Sequence, residues 1–184
     1  LPHFAGLRFQ KEVEVFLSVL ENPARPFVVV IGGAKLETKI PLISKMAQIA
    51  DAVIVGGKLL AEIAVGNRIL GMDKVKLLRL TPDGKDVTLE SIAKIEGILS
   101  DSKTTVWNGP LGLVENFTYQ VGTRRLAEFI AKTTARKVVG GGDTVGFLKK
   151  LGIESQYSWV SSGGGSMLEF LATGSLPGIE ALLN

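Results

Sequence analysis

Five short apolar runs in this sequence each end in a glycine turn. The runs occupy residues 27–31, 52–55, 104–107, 137–139 and 157–160, and the turns after them contain Gly32-Gly33, Gly56-Gly57, Gly109, Gly140-Gly141-Gly142 and Gly163-Gly164-Gly165. Continuous valine and isoleucine runs of this length are typical of parallel strands that are covered on both faces. Because ligands bind outside the carboxyl ends of the strands in open α/β sheets, the repeated turns predict a site at that edge.

Helical patterns separate these runs. The spacing of apolar residues predicts helices over 8–20, from Glu37 to about residue 50, and over 59–65, 91–99 and 121–131. Two more are predicted, one that starts at Asp143-Thr144 and ends at Leu151 and one marked by Met167, Leu168 and Leu171. A further strand is predicted at 75–80, and turns at 81–84 and at 176–179. Alternating strands and helices predict a three-layer, Rossmann-like α/β domain with a mainly parallel sheet. The 184 residues are enough for one such domain, which we expect to span 1–184.

Composition excludes several classes of function. The chain has no cysteine and a single histidine, His3, so a disulfide framework, a thiolate metal site and a Ser-His-Asp triad are excluded. The net charge of +3 is spread without a block of like charge, which argues against nucleic-acid and membrane surfaces. We expect a cytoplasmic protein. The chain starts at Leu1 without an initiator methionine, which indicates a piece of something longer.

The glycine turn before Asp143 and Thr144 suits a phosphate. Glycine lets the backbone approach a ligand closely, and the first N–H groups of the following helix are unpaired. Asp143 could cap that helix or hold a magnesium ion carried by the phosphates. Lys35 and Lys39 bracket another helix start, where two cations oppose the dipole unless an anion binds; a pair of solvated lysines is the alternative.

The common phosphate motifs are absent. Lys35 is followed by leucine rather than serine or threonine, so the first turn is not a P-loop. None of the turns has the G-x-G-x-x-G spacing of a dinucleotide fingerprint, and protein-kinase signatures are missing. What remains is a cradle of backbone amides, two lysines, an amide side chain and a carboxylate. Such groups position and neutralise phosphates.

Four motifs closely resemble phosphoglycerate kinase in order and spacing. They are Gly32-Gly33-Ala34-Lys35-Leu36-Glu37-Thr38-Lys39, Trp107-Asn108-Gly109-Pro110-Leu111-Gly112 with Glu115, Gly140-Gly141-Gly142-Asp143-Thr144, and Ser161-Ser162-Gly163-Gly164-Gly165. The closing residues 176–183 also resemble the end of that family's sequences. The resemblance covers essentially the whole chain, but only the family's C-terminal, nucleotide-binding half.

The resemblance implies a role for each matching residue. Lys35, Gly142 and Gly165 would be catalytic. Lys35 would contact the phosphoryl group during its transfer, and Gly163, Gly164 and Gly165 would approach that group. The nucleotide would be bound by Gly33, Ala34, Lys35, Lys39, Gly57, Asn108, Pro110, Leu113, Glu115, Gly141, Gly142, Asp143 and Thr144. Within this set Gly33, Ala34, Gly57 and Leu113 would line the adenosine site. Glu115 would bind the ribose hydroxyls, and Asp143 would be linked to magnesium.

The implied function is reversible phosphoryl transfer between 1,3-bisphosphoglycerate and ADP, giving 3-phosphoglycerate and ATP with Mg²⁺. The implied partners are an adenine nucleotide and the missing N-terminal half that binds 3-phosphoglycerate, in a monomeric protein. A non-catalytic nucleotide-binding module is the alternative, and a purely structural α/β domain is a third. A segment with clustered arginines before Leu1 in the parent gene would favour the enzyme, and stabilisation by nucleotide would exclude the structural domain.

The sequence departs from the family pattern at three places. Lys58 stands where a third glycine is usual, and Trp159 where histidine is common. Between Gly57 and Trp107 the chain is markedly shorter than the family pattern, and the acidic, glycine-rich segment that helps wall the adenine pocket is not recognisable. The adenine pocket is therefore the part of the site that the resemblance supports least.

Overall fold

The protein is built on a parallel sheet of six strands. A computed structural model describes residues 4–66 and 72–183. The strands are β1 (Phe27–Ile31), β2 (Ala52–Val55), β3 (Val75–Leu77), β4 (Thr104–Asn108), β5 (Arg136–Gly140) and β6 (Trp159–Val160). Their order is β3-β2-β1-β4-β5-β6, and every pair is parallel. The predicted α/β class with a mainly parallel sheet is confirmed.

Helices cover both faces of the sheet. In the described residues these are α1 (Leu7–Glu21), α2 (Ile40–Ile49), α3 (Leu59–Gly66), α4 (Leu89–Asp101), α5 (Val121–Lys132), α6 (Gly142–Leu151), α7 (Gly164–Thr173) and α8 (Pro177–Leu183). Helices α1 and α2 both pack against α7, and α4 packs against α5. Every residue of β1, β2 and β4 is buried, as cover on both faces requires. None of the described helices is both long and apolar enough to cross a membrane.

The strand order places a topological switch point between β1 and β4. Strand β1 continues through α2 to β2 on one side, whereas β4 continues through α5 to β5 on the other. The loops after β1 and β4 therefore leave the sheet in opposite directions, which opens a crevice at its carboxyl edge.

Helix α2 starts later than predicted. The sequence pattern placed its start at Glu37, but it begins at Ile40 because the preceding residues form a turn. The Leu36 carbonyl accepts hydrogen bonds from the N–H groups of both Lys39 and Ile40. Lys39 is therefore the residue immediately before the helix, and its side chain is buried.

Other boundaries differ at element ends. Strand β3 ends at Leu77 rather than at residue 80, because Leu80 instead forms an isolated antiparallel bridge with Val87. Strand β6 is shorter than predicted because Tyr157 closes a 3-10 turn and its hydroxyl donates to the Ala127 carbonyl. The predicted closing turn at 176–179 is wrong: helix α8 begins there, with a proline in its first position, where proline is well tolerated.

Candidate functional site

The glycine turns enclose a cleft at the carboxyl edge of the sheet. It consists of two hollows that share Gly33, Ala34, Pro110 and Asp143. The larger one, about 310 Å³, contains Lys39 and is called the Lys39 hollow. The smaller one, about 130 Å³, contains Glu115 and is called the Glu115 hollow.

The structure brings all fourteen predicted site residues to this cleft. The Lys39 hollow is lined by Gly33, Ala34, Lys35, Lys39, Asn108, Pro110, Gly141, Gly142, Asp143, Thr144 and Gly165, and the Glu115 hollow adds Gly57, Leu113 and Glu115. Gly163, which the resemblance also places near the phosphate, does not line either hollow; its N–H donates to the Ser161 hydroxyl. The position of these residues is therefore known, and their roles stay a prediction.

Close backbone contacts between the first and third turns shape the cleft. The Gly32 N–H donates to the Asn108 carbonyl and the Gly33 N–H to the Pro110 carbonyl, both at 2.8 Å. Gly109 has a φ of +90°, and a Cβ atom there would lie 2.2 Å from the Gly32 carbonyl oxygen. Only glycine fits this position, because a side chain would clash with backbone and strain φ.

A buried cation lies in the Lys39 hollow. Lys39 is 8% exposed, and its Nζ donates to Oδ1 of Asn108 at 2.5 Å. In the described part of the chain no carboxylate lies within salt-bridge distance of it. Burial lowers the pKa of Lys39 to about 8. An amide oxygen stabilises an ammonium less than an anion would, so the hollow is suited to a negatively charged ligand.

Three helices begin at the Lys39 hollow. Helix α2 begins directly after Lys39, α6 begins at Gly142 and α7 at Gly164. Helices α6 and α7 contribute unpaired first-turn N–H groups and the positive ends of their dipoles. Helix α2 contributes the positive end of its dipole, but its first N–H, that of Ile40, donates to the Leu36 carbonyl and its second residue is a proline. The Thr144 hydroxyl is fully buried and has no hydrogen-bond partner among the residues that the structure describes. Asp143 is the single acidic residue among those that line this hollow. Together these features fit a polyanion that carries phosphate oxygens.

The Glu115 hollow has a different character. Leu113, Pro110 and Ala34 provide apolar surface, while the exposed Glu115 provides a carboxylate that can accept hydrogen bonds from hydroxyl groups. Lys58 also lines this hollow. The sequence marked Lys58 only as a departure from the family pattern, and the structure places it in the lining.

Sequence reasoning missed Thr38, Gly109, Gly112 and Leu168, which line the hollows, and Glu12, which supports a turn beside them. Glu12 of α1 is buried, and its carboxylate accepts hydrogen bonds from the hydroxyls of Ser161 and Ser162, at 3.0 Å from the latter. It therefore ties α1 to the turn after β6. No local signal marks it, because a glutamate in an amphipathic helix is ordinarily solvated. Trp159, the other departure, lies with its ring under the Arg8 guanidinium, 4.5 Å from the ring centroid.

The fold and the cleft define a doubly wound α/β domain, with a glycine-lined cleft that contains the buried Lys39 at its switch point. Comparison with known proteins identifies the particular family. A family model described as phosphoglycerate kinase matches residues 1–79 and 68–174. The chain belongs to the phosphoglycerate kinase family. The two matched parts meet within the region that the sequence predicts to be shortened.

Individual relatives agree. A phosphoglycerate kinase of Latilactobacillus sakei is 33% identical over 224 residues, covering 98% of this chain and 55% of the relative. One of Oenococcus oeni is 34% identical, covering 97% and 55%. The solved phosphoglycerate kinase of Coxiella burnetii superposes with a TM-score of 0.79 at 31% identity, covering 95% of this chain and 57% of that one. The Pyrococcus horikoshii enzyme, at 22% identity and a TM-score of 0.84, supports the fold. The chain thus spans little more than half the length of these relatives.

Proposed function

We propose that this chain is the nucleotide-binding half of a phosphoglycerate kinase, acting in reversible phosphoryl transfer between 1,3-bisphosphoglycerate and ADP. The observation that carries the proposal is the buried Lys39 ammonium, which has an amide as its partner in a hollow where three helices begin. Burying a cation in this way costs free energy, and the phosphates of a nucleotide would offset that cost. Calorimetric titration with MgADP is the direct test, with saturable binding expected.

The proposed roles follow the two hollows. In the Lys39 hollow, Lys39, Asn108 and the buried Thr144 hydroxyl would hold the nucleotide phosphates, together with the N–H groups of Gly141 and Gly142. In the Glu115 hollow, Glu115 would hold the ribose hydroxyls, and the base would lie against Gly57, Leu113 and the apolar surface of Gly33 and Ala34. A nucleoside diphosphate would therefore extend across the residues that both hollows share.

The proposed phosphoryl transfer requires that the protein position the two substrates, and it does not require a covalent intermediate with the protein. Phosphoryl transfer needs the attacking and leaving oxygens in line and the charge on the transferred group neutralised. Lys35 is exposed at the Lys39 hollow, so it could reach a phosphoryl group between two substrates. Gly142 and Gly165 lie at the starts of α6 and α7, where backbone N–H groups would face the same phosphoryl group.

The residues present also fit magnesium. Asp143 lines both hollows, and a carboxylate beside phosphate oxygens is the donor set that Mg²⁺ commonly uses. When bound, the ion would neutralise phosphate charge. The protein would hold the nucleotide phosphates in place and would keep the Asp143 carboxylate next to them.

Replacing Lys39 with alanine is expected to weaken MgATP binding by about 1.5–3 kcal/mol, the scale of a hydrogen bond to a charged group. The affinity of the wild-type chain for MgATP should also fall as the pH rises through about 8, because Lys39 then loses the positive charge that attracts the phosphates. Titration calorimetry from neutral to alkaline pH measures both effects.

Lys45 provides the matched control for Lys39, because it lies on α2 but does not line the cleft. Lys45→Ala should retain the wild-type affinity and its pH dependence, whereas Lys39→Ala should lose the dependence near pH 8. An unchanged affinity in Lys39→Ala would contradict the phosphate role.

Replacing Glu115 with alanine is expected to weaken ADP binding and to leave pyrophosphate binding nearly unchanged. The reason is that Glu115 lines only the Glu115 hollow, whereas the phosphates would lie in the Lys39 hollow. Competitive titration with both ligands measures the difference. Equal losses for the two ligands would show that Glu115 does not bind the ribose.

A further inference from the structure

Asp86 is a buried carboxylate outside the cleft. Its side chain lies in the segment between β3 and α4 and is 3% exposed. Both oxygens accept hydrogen bonds from the backbone: Oδ1 from Val87 N–H at 2.8 Å and Oδ2 from Gly122 N–H at 2.9 Å. Neither oxygen contacts a basic side chain within salt-bridge distance in the described residues. Burying a carboxylate without a cationic partner costs free energy, so the two backbone hydrogen bonds that stabilise it must be held in place.

One neighbour of Asp86 is the 111–116 loop, which carries Leu113 and Glu115 to the cleft. A Cβ atom on Gly112 would lie 2.3 Å from Asp86 Oδ1, so the loop backbone packs directly on the carboxylate. The residue before Asp86 also binds this loop, because the Lys85 carbonyl accepts from the Leu113 N–H at 3.2 Å. The loop therefore rests on residues 85 and 86.

The other neighbour of Asp86 is the start of α5. Gly122, which donates to the carboxylate, is the second residue of that helix. The next residue, Thr123, returns to the loop: its Oγ1 accepts from the N–H groups of Leu111 at 3.0 Å and Gly112 at 3.1 Å. Asp86, the start of α5 and the 111–116 loop therefore each contact the other two.

We propose that Asp86 is a positioning residue that sets the place of Leu113 and Glu115, and thereby the affinity of the cleft for the nucleoside part of a nucleoside diphosphate. This inference rests on the proposed function. The shortened region between Gly57 and Trp107 would then have a role in the site, because its residues 85–87 support the loop that forms one wall of the Glu115 hollow. The phosphate-binding residues of the Lys39 hollow lie on other elements, so their affinity should not depend on Asp86.

The test compares MgADP with pyrophosphate in the Asp86→Asn variant of the same chain. Asparagine keeps the shape but has a single acceptor oxygen, so one backbone N–H loses its partner. We expect ADP affinity to fall about tenfold, as for a lost hydrogen bond to a charged group, with pyrophosphate affinity unchanged within about twofold. Asp83→Asn is the matched control, because this acid of the same segment is exposed and bonds Thr81 and the Lys85 N–H instead of the loop. It should keep the wild-type ADP affinity.

A second variant reaches the same carboxylate from the loop side. Gly112→Ala places a methyl group against both Asp86 Oδ1 and the Tyr119 carbonyl oxygen, and it should also lower ADP affinity more than pyrophosphate affinity, even if Asp86→Asn does not fold. The ratio of the two affinities is decisive, because general destabilisation lowers both together. Equal losses, or no loss, in folded variants of a chain that binds ADP overturn this inference alone. A wild-type chain that binds neither ligand overturns the proposed function, and this inference with it.

Discussion

The 184-residue chain by itself is expected to bind an adenine nucleotide with magnesium but to show no appreciable phosphoglycerate kinase activity. The proposed cleft holds one side of the reaction. The acyl phosphate must be held in line on the other side, and positioning of this kind can contribute roughly 7–11 kcal/mol to lowering the barrier. Closure of two halves would also exclude water from the transferred group, which one half cannot do alone.

A coupled assay for ATP formation measures this activity. Adding the N-terminal half of a related phosphoglycerate kinase in trans should restore some turnover, and Lys35→Ala should abolish that gain. Lys45→Ala, on α2 but outside the cleft, is the control and should preserve it. Robust activity from the chain alone would contradict the expectation. Nucleotide binding without any turnover in trans would favour the non-catalytic module.

Replacing Gly109 with alanine is expected to lower the free energy of unfolding by about 2 kcal/mol or more. A non-glycine residue at its φ of +90° is strained by roughly 1–3 kcal/mol. The added Cβ would also press on the Gly32 carbonyl, and overpacking of this kind costs roughly another 1–3 kcal/mol. Because the same contact joins the two turns that shape the cleft, ADP affinity should fall as well. Denaturant unfolding and calorimetry measure the two effects.

Gly97 is the control for Gly109. It lies within α4 and is exposed, and, apart from the backbone of its own helix and its chain neighbours, no atom of the described residues lies within 4 Å of a Cβ added to it. Gly97→Ala should therefore stabilise the protein by roughly 0.5–1 kcal/mol, as expected in a helix interior. If both variants kept the wild-type stability, the close approach of the first and third turns would not be present in solution.

Much of the fold could be predicted because its signals are local. A continuous apolar run such as Val28-Val29-Val30 specifies a strand buried on both faces, and periodic apolar residues specify each helix between strands. Glycines at strand ends mark where the backbone must turn or approach another segment. The gathering of the site at the carboxyl edge follows from the same pattern, since parallel strands end at one edge.

Element ends depended on contacts that the local pattern does not contain. The start of α2 is set by hydrogen bonds to the Leu36 carbonyl, and β6 is shortened where Tyr157 instead reaches α5. A change of one hydrogen-bond partner moves such a boundary without changing the apolar periodicity. The sequence therefore determined which elements form, but it did not determine where each begins and ends.

The environment of the site residues was decided by the tertiary structure. Lys39 meets Asn108, 69 residues away, only because β1 and β4 are neighbours in the sheet. Glu12 reaches Ser161 across 149 residues. Sequence specified the types of residue at the cleft: lysines, an amide, a carboxylate and glycines. Burial, the lowered pKa of Lys39 and the support of the 111–116 loop by Asp86 arise from packing between distant segments, which no local pattern records.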